Sequence, residues 1–136
     1  MYVHTPVPQN IVDKLGEICL VLPEVYEEEA WVGRRWMVHK KNFAHVLVVH
    51  KGYPPTYARV AKIGKSNEPV CVLTFRTPMS ASEEPLFSRK PYFLPGWWAN
   101  IVGMEIDAQT DWDRVVLHLA QSYSVFAPRG LVAVMD

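Results

Sequence analysis

The sequence predicts an α+β fold: an antiparallel β-sheet with an N-terminal and a C-terminal helix packed on one face. Three observations predict it. Apolar residues recur with a helical period near the start of the chain, and again near its end. Between these two stretches the apolar runs are short, β-rich and separated by turn residues at hairpin-like spacing. No internal repeat, low-complexity segment or domain boundary interrupts the 136 residues, so the chain reads as one domain.

After an extended lead-in, Ile11, Leu15, Ile18, Cys19 and Leu22 fall on one helical face. Pro8 suits the first turn of this helix and Pro23 stops it. Gly16 inside it costs about 1 kcal/mol against alanine, which a close packing partner would explain. Val25 to Val32 is a first strand. Trp36 to Val38 and Phe43 to Val49 form a hairpin with His39-Lys40-Lys41-Asn42 as its tip. Simple alternation puts Phe43, His45, Leu47 and Val49 on one face and Ala44, Val46, Val48 and His50 on the other. Lys51 to Pro69 is the most loop-like stretch, with a short helix possible over Tyr57 to Ile63. Val70 to Arg76 is a strong strand. Ser82 is a candidate N-cap for one or two helical turns. Tyr92 to Leu94 and Trp97 to Ile106 are two more strands, turned at Pro95-Gly96. The last helix carries Trp112, Val115, Val116, Leu119 and Tyr123 on one stripe. Thr110 or Asp111 caps it, Asp113 suits its N-terminal end, and Pro128 ends it.

Fourteen basic and fourteen acidic residues cancel, which argues against a strongly basic nucleic-acid binder and against a disordered acidic tail. The charge is nonetheless segregated. Arg34, Arg35, Lys40, Lys41, Lys51, Arg59, Lys62 and Lys65 lie in a span without a single acid, which also holds His39, His45 and His50. The acids precede it, at Glu24 and Glu27 to Glu29, or follow late, from Glu105 to Asp113. Two cysteines make no disulfide framework. Cys19 on a helix face and Cys71 in an apolar strand read as buried thiols, with a Cys19–Cys71 bridge as the lesser alternative. There is no signal-peptide pattern, no apolar run of membrane-spanning length and no glycosylation acceptor, so a cytoplasmic location and no membrane partner are expected.

Several chemistries are excluded or discounted. "IGKS" at Ile63 to Ser66 lacks the upstream glycine of a phosphate-binding loop, since that position is Arg59. There is no dinucleotide fingerprint, no hydrolase serine elbow and no C-x-x-C. A metal or acid–base site would need Glu27 or Glu29 beside His45 or His50, but strand geometry puts those two histidines on opposite faces. Solvated glutamates and strand-end histidines are the preferred reading, with no metal and no cofactor expected. His118, off the last helix's stripe, reads as a surface histidine. Ser122 reads as bonded to its own preceding turn. Five tryptophans are many for this length. Trp112 fits the core, whereas adjacent Trp97 and Trp98 would point to opposite faces of a strand, so at least one is exposed or lines a cleft.

The blocks "LPEVYEEEAWVG" (Leu22 to Gly33), "WMVHKKNFA" (Trp36 to Ala44) and "WWANIVGMEID" running into "DWDRVVLHLAQSYSVFAPRGL" (Trp97 to Leu131) resemble the MmcQ/YjbR-like proteins. The resemblance implies a curved antiparallel sheet, similar to the double-wing domain of a phage transcription activator, and with it DNA binding by fold analogy. It brings no catalytic residues. Val32 is an insertion relative to the family pattern, and Lys40-Lys41 stands where the hairpin usually has Gly-Lys.

Two binding readings compete. In the first, a basic hairpin meets nucleic acid, with Arg34, Arg35, Lys40, Lys41 and Lys51 on phosphates and Trp36 stacking. In the second, a cleft lined by Trp31, Trp36 or Trp98 takes a small ligand or a protein segment. An enzyme built on a Glu/His site around His45 ranks third. The first reading leads, on the resemblance and the segregated charge.

Overall fold

A computed structural model describes residues 5–61 and 68–130. Among the described residues six strands form one antiparallel, curved sheet in the order β1-β2-β3-β4-β6-β5. They are β1 (Tyr26–Glu29), β2 (Arg34–Val38), β3 (Lys41–Val49), β4 (Val70–Arg76), β5 (Tyr92–Phe93) and β6 (Ile101–Ile106). Helices α1 (Gln9–Cys19) and α3 (Trp112–Phe126) share one face, and the short α2 (Pro55–Val60) packs on the other. The expected architecture is present, and the short helix anticipated from Tyr57 begins two residues earlier as α2. The C-terminal part of the helix expected over Tyr57 to Ile63, the "IGKS" stretch, Lys62 and Lys65 lie outside the described residues.

The main core forms where the apolar stripes of α1 and α3 meet one face of the sheet. Leu15, Cys19, Val115, Leu119 and Tyr123 pack there against Trp36, Val46, Leu73 and Val102. A smaller cluster of Val32, Leu47, Val49, Ala58 and Val72 lies under α2 on the opposite face. Cys19 and Cys71 are both buried free thiols in the main core, so no bridge joins them. Burial pushes both pKa values up, Cys71 to about 12, and nearby Glu27 adds to the rise for Cys19.

Asp111 caps α3 as its sequence predicts, its carboxylate accepting from the amides of Asp113 (3.1 Å) and Arg114 (3.3 Å). Ser122 departs from expectation. Its hydroxyl donates to the Phe43 carbonyl at 2.5 Å and accepts from the Arg76 amide at 2.8 Å, tying α3 to two strands rather than to its own preceding turn. A cross-sheet partner was invisible along the helix alone.

The hairpin also differs in a way that matters for the site. Its tip is the two residues His39 and Lys40, both at positive φ (50° and 60°), and Lys41 already pairs with Val38. That is the backbone signature of the tight turn whose twist matches the flanking strands. The register then slips between Trp36 and Met37, which face Ala44 and Asn42 and leave Phe43 as an extra residue. This bulge moves Phe43 to the helix side of the sheet, where its ring meets Tyr123 edge-on at 5.7 Å. His45 and Leu47 stay on the opposite face, so the alternation expected from Phe43 holds only beyond the bulge.

Three further boundaries move. β1 is shorter than the Val25–Val32 run. Ser82 lies inside a 3₁₀ turn (Ala81–Glu83) rather than capping one; the capping side chain is Glu84, which accepts from the Leu86 amide at 3.1 Å. Trp97 to Asn100 form a loop ahead of β6 instead of its first residues. A Cβ at Gly16 would meet Glu27 Oε1 at 3.5 Å, an ordinary contact, so the tight packing expected over that glycine is absent.

Candidate functional site: an aromatic cleft on the sheet

The strand register explains the fate of the segregated charge. β1 and β2 pair Glu29 with Arg34, Glu28 with Arg35 and Glu27 with Trp36. On one face Arg34 Nε donates to Glu27 Oε2 at 2.7 Å, Glu29 lies 3.8 Å away, and Trp36 Nε1 donates to Glu27 Oε1 at 2.9 Å. On the other face Arg35 Nε donates to Glu28 at 2.6 Å. Opposite charges across a ladder are favourable, and both arginines are engaged: Arg35 by the directly opposite Glu28, Arg34 mainly by the diagonal Glu27. Trp36 is fully buried and offers no ring face to a base or a ligand. Lys40 and Lys41 remain exposed at the hairpin tip, and Lys51 is exposed at a second tight turn, Lys51-Gly52. Strand β3 separates these two ends by roughly 30 Å at the usual rise per residue. The six residues expected on phosphates or bases therefore do not share one face.

The tryptophans separate as well. Trp31 is exposed in the β1–β2 connection, its ring 6.1 Å from Tyr53. Trp97 and Trp98, in the loop before β6, help to wall a cleft of about 190 Å³ with Asn42, His45, Tyr57, Thr74, Arg76 and Ile101. Trp98 is 62 % exposed. Of the three expected cleft residues, only Trp98 lines this opening.

The sheet supplies the floor. His45 and Thr74 face each other across β3 and β4, on the face away from α1 and α3. Next to Thr74 on β6 is Gly103, and the Phe93 ring occupies the space a side chain would take. Tyr57, brought in by α2, meets His45 edge-on at 6.2 Å and Trp97 at 4.9 Å. The Arg76 guanidinium lies 5.8 Å from the ring centres of both Trp98 and Phe126, and donates to Asn100 Oδ1 at 3.0 Å.

Hydrogen bonding fixes the chemistry of His45. Its Nε2 lies 2.6 Å from the Val32 carbonyl, which can only accept, so Nε2 carries the proton. Burial lowers its pKa; the Val32 hydrogen bond opposes this, and Arg35 adds to the lowering. The ring is thus neutral near pH 7, with Nδ1 as an acceptor 3.4 Å from the Tyr57 hydroxyl. Burial raises the Tyr57 pKa to about 12. Glu27 and Glu29 lie on the opposite face of the sheet with Arg34 and Trp36, so neither expected carboxylate meets His45 as an acid–base site requires; Glu28, on the His45 face, is bound by Arg35, which stands between the two in the ladder. Among the described residues, no three His, Cys, Asp or Glu side chains gather as metal ligands. Among the same residues, no helix is long and apolar enough to cross a membrane.

His118 corrects the expectation of a surface histidine. It is buried, stacked 4.7 Å from Phe75, with Nε2 2.7 Å from the Tyr92 hydroxyl. The segment carrying Phe87 covers the flank of α3, a covering that the periodicity of α3 alone cannot reveal. Burial, helped by Arg114, lowers the His118 pKa to about 4. The unfolded chain, with a pKa near 6.5, takes up its proton first as pH falls. Stability should therefore drop between about pH 6.5 and 4 and level off below that. The expected loss is on the order of 1–2 kcal/mol after discounting for solvent screening. Urea melts at pH 7 and 4.5 should show the drop in the parent and a smaller one in His118→Gln; equal drops would remove His118 as its source.

Sequence reasoning missed Thr74, Arg76 and Tyr57 as site residues, and of the adjacent Trp97 and Trp98 it carried only Trp98 into the cleft, whereas both line it. One signal was available: Val70, Val72, Thr74 and Arg76 share a strand face, and it turns from apolar to polar toward the cleft. Compared with known protein families, curated proteins and solved structures, the chain matches none.

Proposed function

We propose that the chain is a small-ligand binding module that receives a planar ring in the cleft between Trp97, Trp98 and Tyr57. The observation that carries this reading is the placement of Trp98, a large aromatic side chain left mostly exposed at the rim of a concave opening. Such a ring offers a stacking face at low ordering cost. Membership of the MmcQ/YjbR-like proteins belongs to the same proposal, on the sequence blocks that suggest it. A nucleic-acid reading is a second proposal, carried by exposed Lys40 and Lys41 at the hairpin tip.

A thermal-shift series with indole, benzyl alcohol and nucleosides tests the first reading, with labelled single-stranded and duplex DNA as a separate arm. A ring ligand at 100 times its Kd stabilises by about 2.7 kcal/mol, a rise of several degrees. The parent should show this rise and Trp98→Ala should lose it. No stabilisation by any ring compound at millimolar concentration would overturn the reading. Salt-sensitive DNA retardation, lost on Lys40→Ala and Lys41→Ala, would favour the second reading instead.

A further inference from the structure

We propose that the ligand of this cleft carries an oxyanion on its ring, and that Arg76 and Thr74 hold that group. The inference rests on the ring-binding reading and adds the chemical class of the ligand.

Three observations support it. The first is Arg76. Among the described residues no carboxylate lies within ion-pair distance of its guanidinium; its side-chain partners are the Asn100 amide oxygen and the Trp98 and Phe126 rings. Arg34 and Arg35, by contrast, are matched to glutamates. A guanidinium held in place by two rings and one amide keeps other N–H donors in a planar fork, which suits a carboxylate or phosphate.

The second is Thr74. It is only 5 % exposed, and its hydroxyl has no hydrogen-bond partner among the described residues. No side-chain polar atom among those residues is both sealed from solvent and without a partner. The Thr74 hydroxyl therefore keeps some access to solvent, and Thr74 lines the cleft. A hydroxyl that reaches solvent and has no protein partner is free to donate to a ligand in place of water.

The third is the composition and size of the wall. Among the described residues no Asp or Glu lines the cleft, so its formal charge comes from Arg76 alone. The Asn42 amide adds a donor, whereas neutral His45 presents an acceptor to Tyr57. A cavity of roughly 150 Å³ holds benzene. The volume here, about 190 Å³, therefore suits one ring with a small charged group. Aromatic carboxylates and aryl phosphomonoesters share this chemistry.

Calorimetric titration of the full chain with benzoate, phenyl phosphate and benzyl alcohol tests the inference. The better of the two anions should bind at least tenfold tighter than benzyl alcohol, and the stronger one identifies the headgroup. Arg76→Gln should cost that anion at least tenfold while leaving benzyl alcohol within twofold. Thr74→Val, nearly the same shape, should cost the anion about threefold or more; it decides the matter if Arg76→Gln does not fold. Benzyl alcohol binding as tightly as both anions would overturn the oxyanion and leave the ring reading standing. An anion preference unchanged in Thr74→Val and in folded Arg76→Gln would likewise overturn it. Absence of binding by all three probes would overturn the ring reading and this inference with it.

Discussion

Replacing Gly33 with alanine should destabilise the protein by about 4 kcal/mol or more, enough to leave little folded chain. Gly33 sits at φ +75°, and a Cβ there would come within 1.8 Å of the Val46 carbonyl oxygen and 2.9 Å of Leu47 Cα. Both obstacles are backbone atoms of a central strand, so no rotamer change relieves the clash. The corner joining β1 to β2 would have to lift off β3. Gly52 supplies the control, since it has the same φ of +75° but no atom of the described residues within 4 Å of the point a Cβ would occupy. Gly52→Ala should therefore cost only the left-handed backbone penalty, about 1–2 kcal/mol. Urea melts of the two variants separate the causes. Similar losses in both would show that packing at Gly33 is not the determinant.

Trp36→Ala should cost about 3–5 kcal/mol, because it empties a fully buried site at the centre of the main core. It also removes the indole N–H that Glu27 accepts. Trp36→Phe keeps most of the ring volume and deletes that donor, for an expected loss of about 1–2 kcal/mol. Denaturant melts check both values. Ligand affinity at the cleft should be unchanged in Trp36→Phe, since Trp36 faces the helices and the cleft opens on the other side of the sheet. Reduced ring binding in a stably folded Trp36→Phe would put this tryptophan back among the ligand contacts.

The fold was largely legible because each helix carries its own period and each strand its own apolar run. Where one residue's environment depends on a distant segment, the reading failed. Phe43 changes face because the bulge opposite Trp36 and Met37 leaves it as one extra residue on β3, a slip that the polar run at the tip does not record. His118 is buried by a segment some thirty residues earlier in the chain, which no helical stripe records. The charged hairpin was legible as a pattern and not as a surface. Whether Arg34 and Arg35 are free depends on the register of β1 against β2, and a one-residue slip would have exchanged their partners. The cleft was half legible. Trp98 stood out by its type and its neighbour, whereas Thr74 and Arg76 gain their meaning from a wall that α2 and the Trp97–Asn100 loop complete.

The three consecutive glutamates of β1 have a second effect, on encounters between molecules. β1 is one outer strand of the sheet and β5 the other. A sheet that ends in an open apolar ladder can recruit a strand from another copy and polymerise. An approaching strand meets Glu27, Glu28 and Glu29 in succession along β1, whereas β5 is only two residues long. The same carboxylates that neutralise the arginines thus also work as a guard against strand-to-strand self-association.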